Sequence, residues 1–214
     1  YAYTFLEPLD TPRLELVASD LAEEDALELD REPEPRDPLP LHIAVYRRII
    51  RDYGNGRPFG CRITTFCDAP AGSGLGSSST LVVSMIKAFA EMLRLPLGEY
   101  DIARLAWDVE RNDVGLDGGK QDQYAATFGG VNFIEFDQGE RVVVNPLRVK
   151  NWILSELETS IVLFYTGVSR ASADIIAQQT KGLASRMGPS VEAMHGLKRD
   201  AYAMKENILK GDID

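Results

Sequence analysis

The chain has 214 residues, 44% hydrophobic and 26% charged, which is the balance of a folded globular protein with length for one large domain or one domain and part of another. Its 23 Lys and Arg against 33 Asp and Glu leave a net charge of −10, which argues against nucleic acid or an anionic membrane as general partner, because neutralising phosphates needs basic clusters. No apolar run approaches the ~20 residues of a membrane span, and no basic-then-apolar leader follows Tyr1, so a cytoplasmic setting is expected.

Tyr1 to Phe5 and Arg13 to Ala18 alternate apolar and polar residues around Pro8, Asp10 and Pro12, predicting two strands joined by a turn. The acidic stretch from Glu23 to Pro40, with Pro33, Pro35 and Pro38, is expected to be an exposed loop. Ile43, Tyr46, Arg47 and Ile50 then recur at helical spacing until Gly54-Asn55-Gly56. Arg62 to Cys67 reads as a strand, and Cys61 and Cys67 as two small thiols on one of its faces, unsuited to a disulfide. A Gly and Ser run from Ala71 to Thr80 leads into an amphipathic helix. Its stripe is Leu81, Met85, Phe89 and Met92, flanked by Val82, Ile86 and Leu93, and Pro96 ends it. A second helix with Ile102, Leu105, Ala106 and Val109 on one face reaches Arg111 before the polar segment Asn112 to Gly119.

Val131 to Phe136 and Arg141 to Asn145 flank Asp137-Gln138-Gly139-Glu140 as a hairpin. A shift in composition from Pro146 to Ser155 suggests a boundary, giving an N-terminal domain over residues 1–152 and a second over 153–214. Ile161 to Tyr165 is expected to be a central strand, with helices on both sides of Gly188-Pro189. The later helix carries Met194, Leu197, Ala201, Met204 and Ile208 and stops at Asp214 with nothing further for its apolar face, so the chain reads as an internal piece of a longer one.

The chemistry concentrates in two places. Pro70-Ala71-Gly72-Ser73-Gly74-Leu75-Gly76-Ser77-Ser78-Ser79 joins the predicted strand to the predicted helix. Its three glycines at alternate positions let a chain bend sharply and bring backbone N–H groups close to an anion, and the helix adds the positive end of its dipole. This is a phosphate cradle. It is neither a Walker loop, since the nearest lysine is Lys87 inside the helix, nor the dinucleotide fingerprint, since the spacing is G-x-G-x-G. The second place is Glu110 at its helix end, followed by Gly118-Gly119-Lys120-Gln121-Asp122-Gln123-Tyr124. A carboxylate on a glycine-flanked loop can reach a substrate hydroxyl, and another can hold the magnesium that bridges nucleotide phosphates.

The first segment resembles the second signature of the GHMP kinases, P-x-x-x-G-L-G-S-S-A, with Ser79 where alanine is common. The resemblance implies an α+β fold with an N-terminal domain like the second domain of ribosomal protein S5 and the start of a ferredoxin-like C-terminal domain. It implies ATP on residues Pro70, Ala71, Gly72, Ser73, Gly74, Leu75, Gly76, Ser77 and Ser78, and Mg2+ held by Ser78 and Glu110. Asp122 is implied as the catalytic carboxylate that takes or orients the hydroxyl proton. Lys120 is a candidate for lowering the pKa of that carboxylate or meeting the developing charge.

Asp68 to Gly76, Gly118 to Ala126, and Tyr165-Thr166-Gly167 with Arg170 further resemble the D-glycero-D-manno-heptose 7-phosphate kinases, which implies a sugar-phosphate substrate phosphorylated at its anomeric hydroxyl. Arg170 is a candidate for the substrate phosphate, and a homodimer is allowed. Fucose-type kinases share much of the pattern, and an isoprenoid or amino-acid alcohol kinase and a non-catalytic sugar or nucleotide binder are the remaining alternatives. The family's Arg- and Gly-rich first motif is expected before Tyr1 and its Gly-rich third motif after Asp214.

Overall fold

The computed structural model describes residues 1–164 and 188–213. They fall into two compact units, Tyr1–Phe128 and Gly129–Asp214.

The first unit is built on a four-stranded sheet of β1 (Ala2–Pro8), β2 (Arg13–Ala18), β3 (Glu23–Glu28) and β4 (Cys61–Cys67), in the order β1-β4-β2-β3. The first two strands are therefore not a hairpin. β4 enters between them, antiparallel to β1 and parallel to β2, with Leu14 opposite Cys61 and Leu16 opposite Ile63. β3 lies where an exposed loop was expected, antiparallel to β2 along its whole length. Its residues Glu-Glu-Asp-Ala-Leu-Glu carry almost no apolar alternation because it is an edge strand, held by ladder bonds rather than by a buried face.

Alternation puts Leu14, Leu16, Ala18, Cys61, Ile63 and Thr65 on one buried face of the sheet. Helices α1 (Pro40–Tyr53) and α2 (Ser77–Leu93) belong to the same core. α1 begins with Pro at its first position, where no N–H is needed. It buries Ile43, Tyr46, Ile49 and Ile50, while α2 buries Val82, Met85, Ile86 and Phe89. Tyr46, Phe59 and Phe89 form an aromatic cluster with centroids 5.9, 6.3 and 6.5 Å apart. The Tyr46 hydroxyl donates to the Phe59 carbonyl at 2.7 Å, and burial pushes it up to about 12. Cys61 and Cys67 are both free, and burial raises the Cys61 thiol to about 11.

After α3 (Glu99–Asp108) the chain makes one π-helical turn, Val109–Asp113, and then α4 (Gln121–Phe128). π turns are rare and favour functional sites. α4 was not expected: Asp122 was assigned to a Gly-rich loop, but the glycines end at Gly119 and the residues from Gln121 onward are helical.

The second unit pairs β5 (Asn132–Phe136) with β6 (Val142–Pro146) in the expected hairpin and adds α5 (Asn151–Ser160) and α6 (Gly188–Lys210). Phe133 of β5 meets the Tyr202 ring of α6 at 5.0 Å and lies under the Lys205 ammonium at 4.6 Å. Ile161, Val162, Leu163 and Phe164, expected as a central strand, are exposed and form no strand in the structure. An apolar run is a buried strand only when neighbouring strands supply a ladder, and none of the described strands pairs with it. Tyr165 and the helix expected before Gly188 lie outside the described residues. No helix among the described residues is long and apolar enough to cross a membrane.

Candidate active site

The segment between β4 and α2 carries Gly72, Gly74 and Gly76 at φ of +70°, +77° and +69°. This alternation of left-handed residues is disfavoured for L side chains and builds the concave nests of N–H groups that receive anions. Gly76 is also the N-cap of α2. No side chain caps the leading amides and no acid stands in the first turn, which suits an incoming anion. Thr80 ties the turn down by donating its N–H and its Oγ1 hydroxyl to the Gly76 carbonyl at 3.0 and 2.9 Å.

Asp122, exposed in the first turn of α4, lies directly against this loop. A Cβ on Gly76 would stand 3.2 Å from Asp122 Cγ and 3.5 Å from its Oδ1, so glycine at 76 serves both the positive φ and the approach of the carboxylate. The start of a helix also favours a negative side chain.

Glu110 is the second residue of the π turn and is 1% exposed. Its carboxylate accepts from the Ser79 hydroxyl at 3.0 Å on Oε1 and 2.8 Å on Oε2, and from Gln123 Nε2 on Oε2. Ser79 belongs to the first turn of α2 and Gln123 follows Asp122 in α4. One buried cluster thus ties together the phosphate loop's helix, the π turn and the helix of Asp122. The expectation paired Ser78 with Glu110. In the structure Ser78 is exposed and the hydroxyl bonded to Glu110 is that of Ser79.

Two arginines that the motifs did not single out support this arrangement. Arg48 of α1 grips Asp113, at the end of the π turn, with Nε and Nη2 both at 2.7 Å, a half-desolvated fork that keeps the guanidinium firmly protonated. Arg111 donates Nη1 to the Leu116 and Asp117 carbonyls at 3.0 and 3.1 Å and Nη2 to the Gly119 carbonyl at 3.4 Å, acting as the spine of the loop before Lys120. Gly118, at φ +159°, leaves the space that the Arg111 guanidinium fills. The signal was an arginine beside a helix-end acid followed by paired glycines, and it becomes readable only once the loop is seen to fold back.

Lys120 sits with Nζ 4.7 Å above the Trp107 ring. Lys87, already excluded as a Walker lysine, donates to the Thr127 carbonyl at the end of α4 at 2.8 Å. Arg170 lies outside the described residues.

Among the described residues no group of three or more His, Cys, Asp and Glu forms a metal cage. Mg2+ in nucleotide sites needs only one or two carboxylates, the rest of its shell coming from phosphates and water. Glu110, 1% exposed and with both oxygens held by Ser79 and Gln123, offers no open oxygen to such an ion in this arrangement.

Residues 40–130 match the family described as GHMP kinases N terminal domain. This segment belongs to the GHMP kinase family. The chain is 52% identical over 175 residues to the D-glycero-alpha-D-manno-heptose 7-phosphate kinase of Campylobacter jejuni, covering 82% of this chain and 51% of that protein. It therefore spans about half the length of that relative. The structure superposes on a crystal structure named a D-glycero-D-manno-heptose 1-phosphate kinase, from Bacteroides thetaiotaomicron, with a TM-score of 0.85 and 45% identity, covering 99% of this chain and 62% of the other. A bifunctional fucokinase/GDP-fucose pyrophosphorylase of Arabidopsis thaliana is 27% identical over 157 residues, 72% of this chain and 15% of that protein. The α+β architecture is thus that of a GHMP kinase.

Proposed function

We propose that this chain is the nucleotide-binding core of an ATP-dependent sugar kinase that phosphorylates the anomeric hydroxyl of D-glycero-D-manno-heptose 7-phosphate. One observation carries the reading: the Asp122 carboxylate lies against Gly76, so a group suited to accept a hydroxyl proton stands beside a loop suited to hold phosphates. The two heptose phosphate kinases among its relatives support the choice of sugar.

In this reading the Gly72 to Ser77 segment and the leading amides of α2 bind the ATP phosphates, and Ser78, the exposed hydroxyl of that first turn, would meet the Mg2+ that comes with the nucleotide. The metal supplies charge neutralisation for the β- and γ-phosphates when bound. Asp122 orients the sugar hydroxyl and takes its proton as the sugar oxygen bonds to the γ-phosphorus. The bond from that phosphorus to the β,γ-bridging oxygen breaks, and ADP leaves. Lys120, above Trp107, offers a cation to the charge that develops, and Arg170 one to the sugar phosphate. Most of the acceleration comes from positioning and fixed charge, as in phosphoryl transfer generally.

The test is a substrate panel on the full-length protein with ATP: heptose 7-phosphate, heptose 1-phosphate, unphosphorylated heptose and fucose. Heptose 7-phosphate should react fastest. Asp122→Asn should lose ~10²-fold or more in turnover while calorimetry still finds ATP bound. Fucose or unphosphorylated heptose reacting as well as the phosphosugar would replace the heptose-phosphate reading with a fucose-type one, and near-normal turnover of Asp122→Asn would remove Asp122 from the proton transfer.

A further inference from the structure

The helix that presents Asp122 is docked mainly by polar groups. The buried residues of α4 are Gln123, Tyr124 and Thr127, whereas α1 and α2 bury mostly apolar side chains. Apolar contact has no direction and lets a short helix slide or roll on its neighbour. A hydrogen bond does not, because it weakens steeply once its angle is lost.

The polar contacts gather at the two ends of α4. At its start, Gln123 Nε2 donates one hydrogen to Ser79 Oγ at 3.1 Å and the other to Glu110 Oε2, and Ser79 donates in turn to the Glu110 carboxylate. The amide cannot be turned over, because Gln123 Oε1 would then face a carboxylate that only accepts. Gln123 Oε1 is buried without a partner among the described residues, a cost that native structures tolerate chiefly at functional sites. At the other end, Lys87 of α2 donates to the Thr127 carbonyl at 2.8 Å. The last carbonyls of a helix have no partner within it, and the ammonium also meets the negative end of the dipole. Thr127 Oγ1 donates to the Gln123 carbonyl at 2.7 Å and so links the two ends through one turn. Both clamps reach α4 from α2, whose N-cap is Gly76. How α4 is held on α2 therefore sets where the Asp122 carboxylate stands relative to Gly76.

We propose that Ser79, Glu110 and Gln123 at one end of α4, and Lys87 at the other, are positioning residues that hold Asp122 in place against the phosphate loop. The inference rests on Asp122 serving as the proton acceptor in the kinase reading above. Gln123 follows Asp122 directly, so the first clamp acts on the turn that carries the carboxylate. Lys87, which no phosphate motif uses, fixes the same helix from its far end. The rings of Tyr124 and Phe128 meet Tyr100 of α3 at 6.2 and 4.9 Å and keep the helix docked when one clamp is lost. The expected fault is then a shift of Asp122 rather than unfolding.

A misplacement of about 1 Å caused by a remote change can cost ~10²-fold in rate. The experiment follows single-turnover phosphoryl transfer from ATP to heptose 7-phosphate by the full-length protein, with ATP affinity from calorimetry and hydrogen exchange of the α4 amides, residues 121–128. Ser79→Ala and Lys87→Met should each slow transfer ~10-fold to 10²-fold, leave ATP affinity unchanged and speed exchange in α4. Ser79→Thr, which returns the hydroxyl, and Lys87→Arg, which returns the cation, should restore the rate. Melting temperatures are recorded for each variant, and if Ser79→Ala fails to fold, Lys87→Met carries the test from a less buried site. Normal transfer rates in both variants, with the wild type active, would overturn the positioning role and leave the kinase reading standing. A wild type that transfers phosphate to no sugar of the panel would remove the kinase reading and this inference with it. If ATP affinity falls as far as the rate does, the clamps support the phosphate loop and not Asp122, and the assignment is overturned.

Discussion

In the first unit Ile43, Tyr46, Ile63, Met85 and Phe89 are all without solvent exposure, whereas Val144 and Ile153 are the buried hydrophobics among the described residues of the second. There Leu197 and Met204, on the longest of the described helices, are each 63% exposed, and Val162 is 86% exposed. The difference teaches where a demanding site can be built. Glu110, Ser79, Gly76 and Asp122 all belong to the unit whose helices are braced on a sheet, and even the π turn is pinned to α1 through Arg48 and Asp113. Catalytic geometry tolerates errors of only ~0.5 Å, which calls for supporting side chains that are themselves fixed by packing.

The largest expected effect sharpens the contrast from the packed side. Phe89→Ala removes a fully buried ring that touches Tyr46 and Phe59 and should cost ~3–5 kcal/mol in urea unfolding of the 214-residue chain, through lost burial plus a cavity. A cost near ~1 kcal/mol would mean that the site collapses easily and that the first unit is less tightly closed than its burial indicates.

A pH effect comes next, through His42. Its Nε2 lies 2.8 Å from Thr65 Oγ1 inside the same core, and burial pushes the imidazole down to about 4, with Asp20 pulling slightly upward. In the unfolded chain it titrates near ~6.5. The unfolded state therefore takes up the proton first. The stabilisation is complete above pH ~6.5, is lost as pH falls from there toward about 4, and does not fall further once both states are protonated. The loss amounts to roughly 3 kcal/mol. Denaturation of wild type and His42→Gln across that window should show the difference between them closing as pH drops. Parallel curves would mean that water reaches His42 and that the core is leakier than it looks.

The smallest effect belongs to the second unit. Leu197→Ser, on the exposed side of α6, should change stability by no more than ~0.5 kcal/mol, the usual range for a surface site without special contacts. A loss several times larger would mean that the apolar face of α6 is covered in solution, and the contrast between the units would have to be redrawn.

Elements set by local chemistry were legible in advance. The periodic apolar stripe of α2 and the turn residues of the β5–β6 hairpin put those elements within a few residues of their observed positions. β3 was missed because an edge strand needs no apolar alternation, and α4 because the glycines before it drew the eye to a loop. Ile161 to Phe164 shows the converse, a run with strand composition and no strand beside it.

What the sequence by itself determined was the phosphate loop and its kinship, since three alternating glycines before a helix have few physical uses and their spacing survives without knowledge of any partner. Only the tertiary structure decided that Asp122 lies against Gly76, that Ser79 rather than Ser78 bonds Glu110, and that Arg111 holds the loop between them. Those contacts join residues on separate elements, from the first turn of α2 to the first turn of α4. They are set by how helices pack on a sheet, through distances and hydrogen-bond directions that no one-dimensional pattern records.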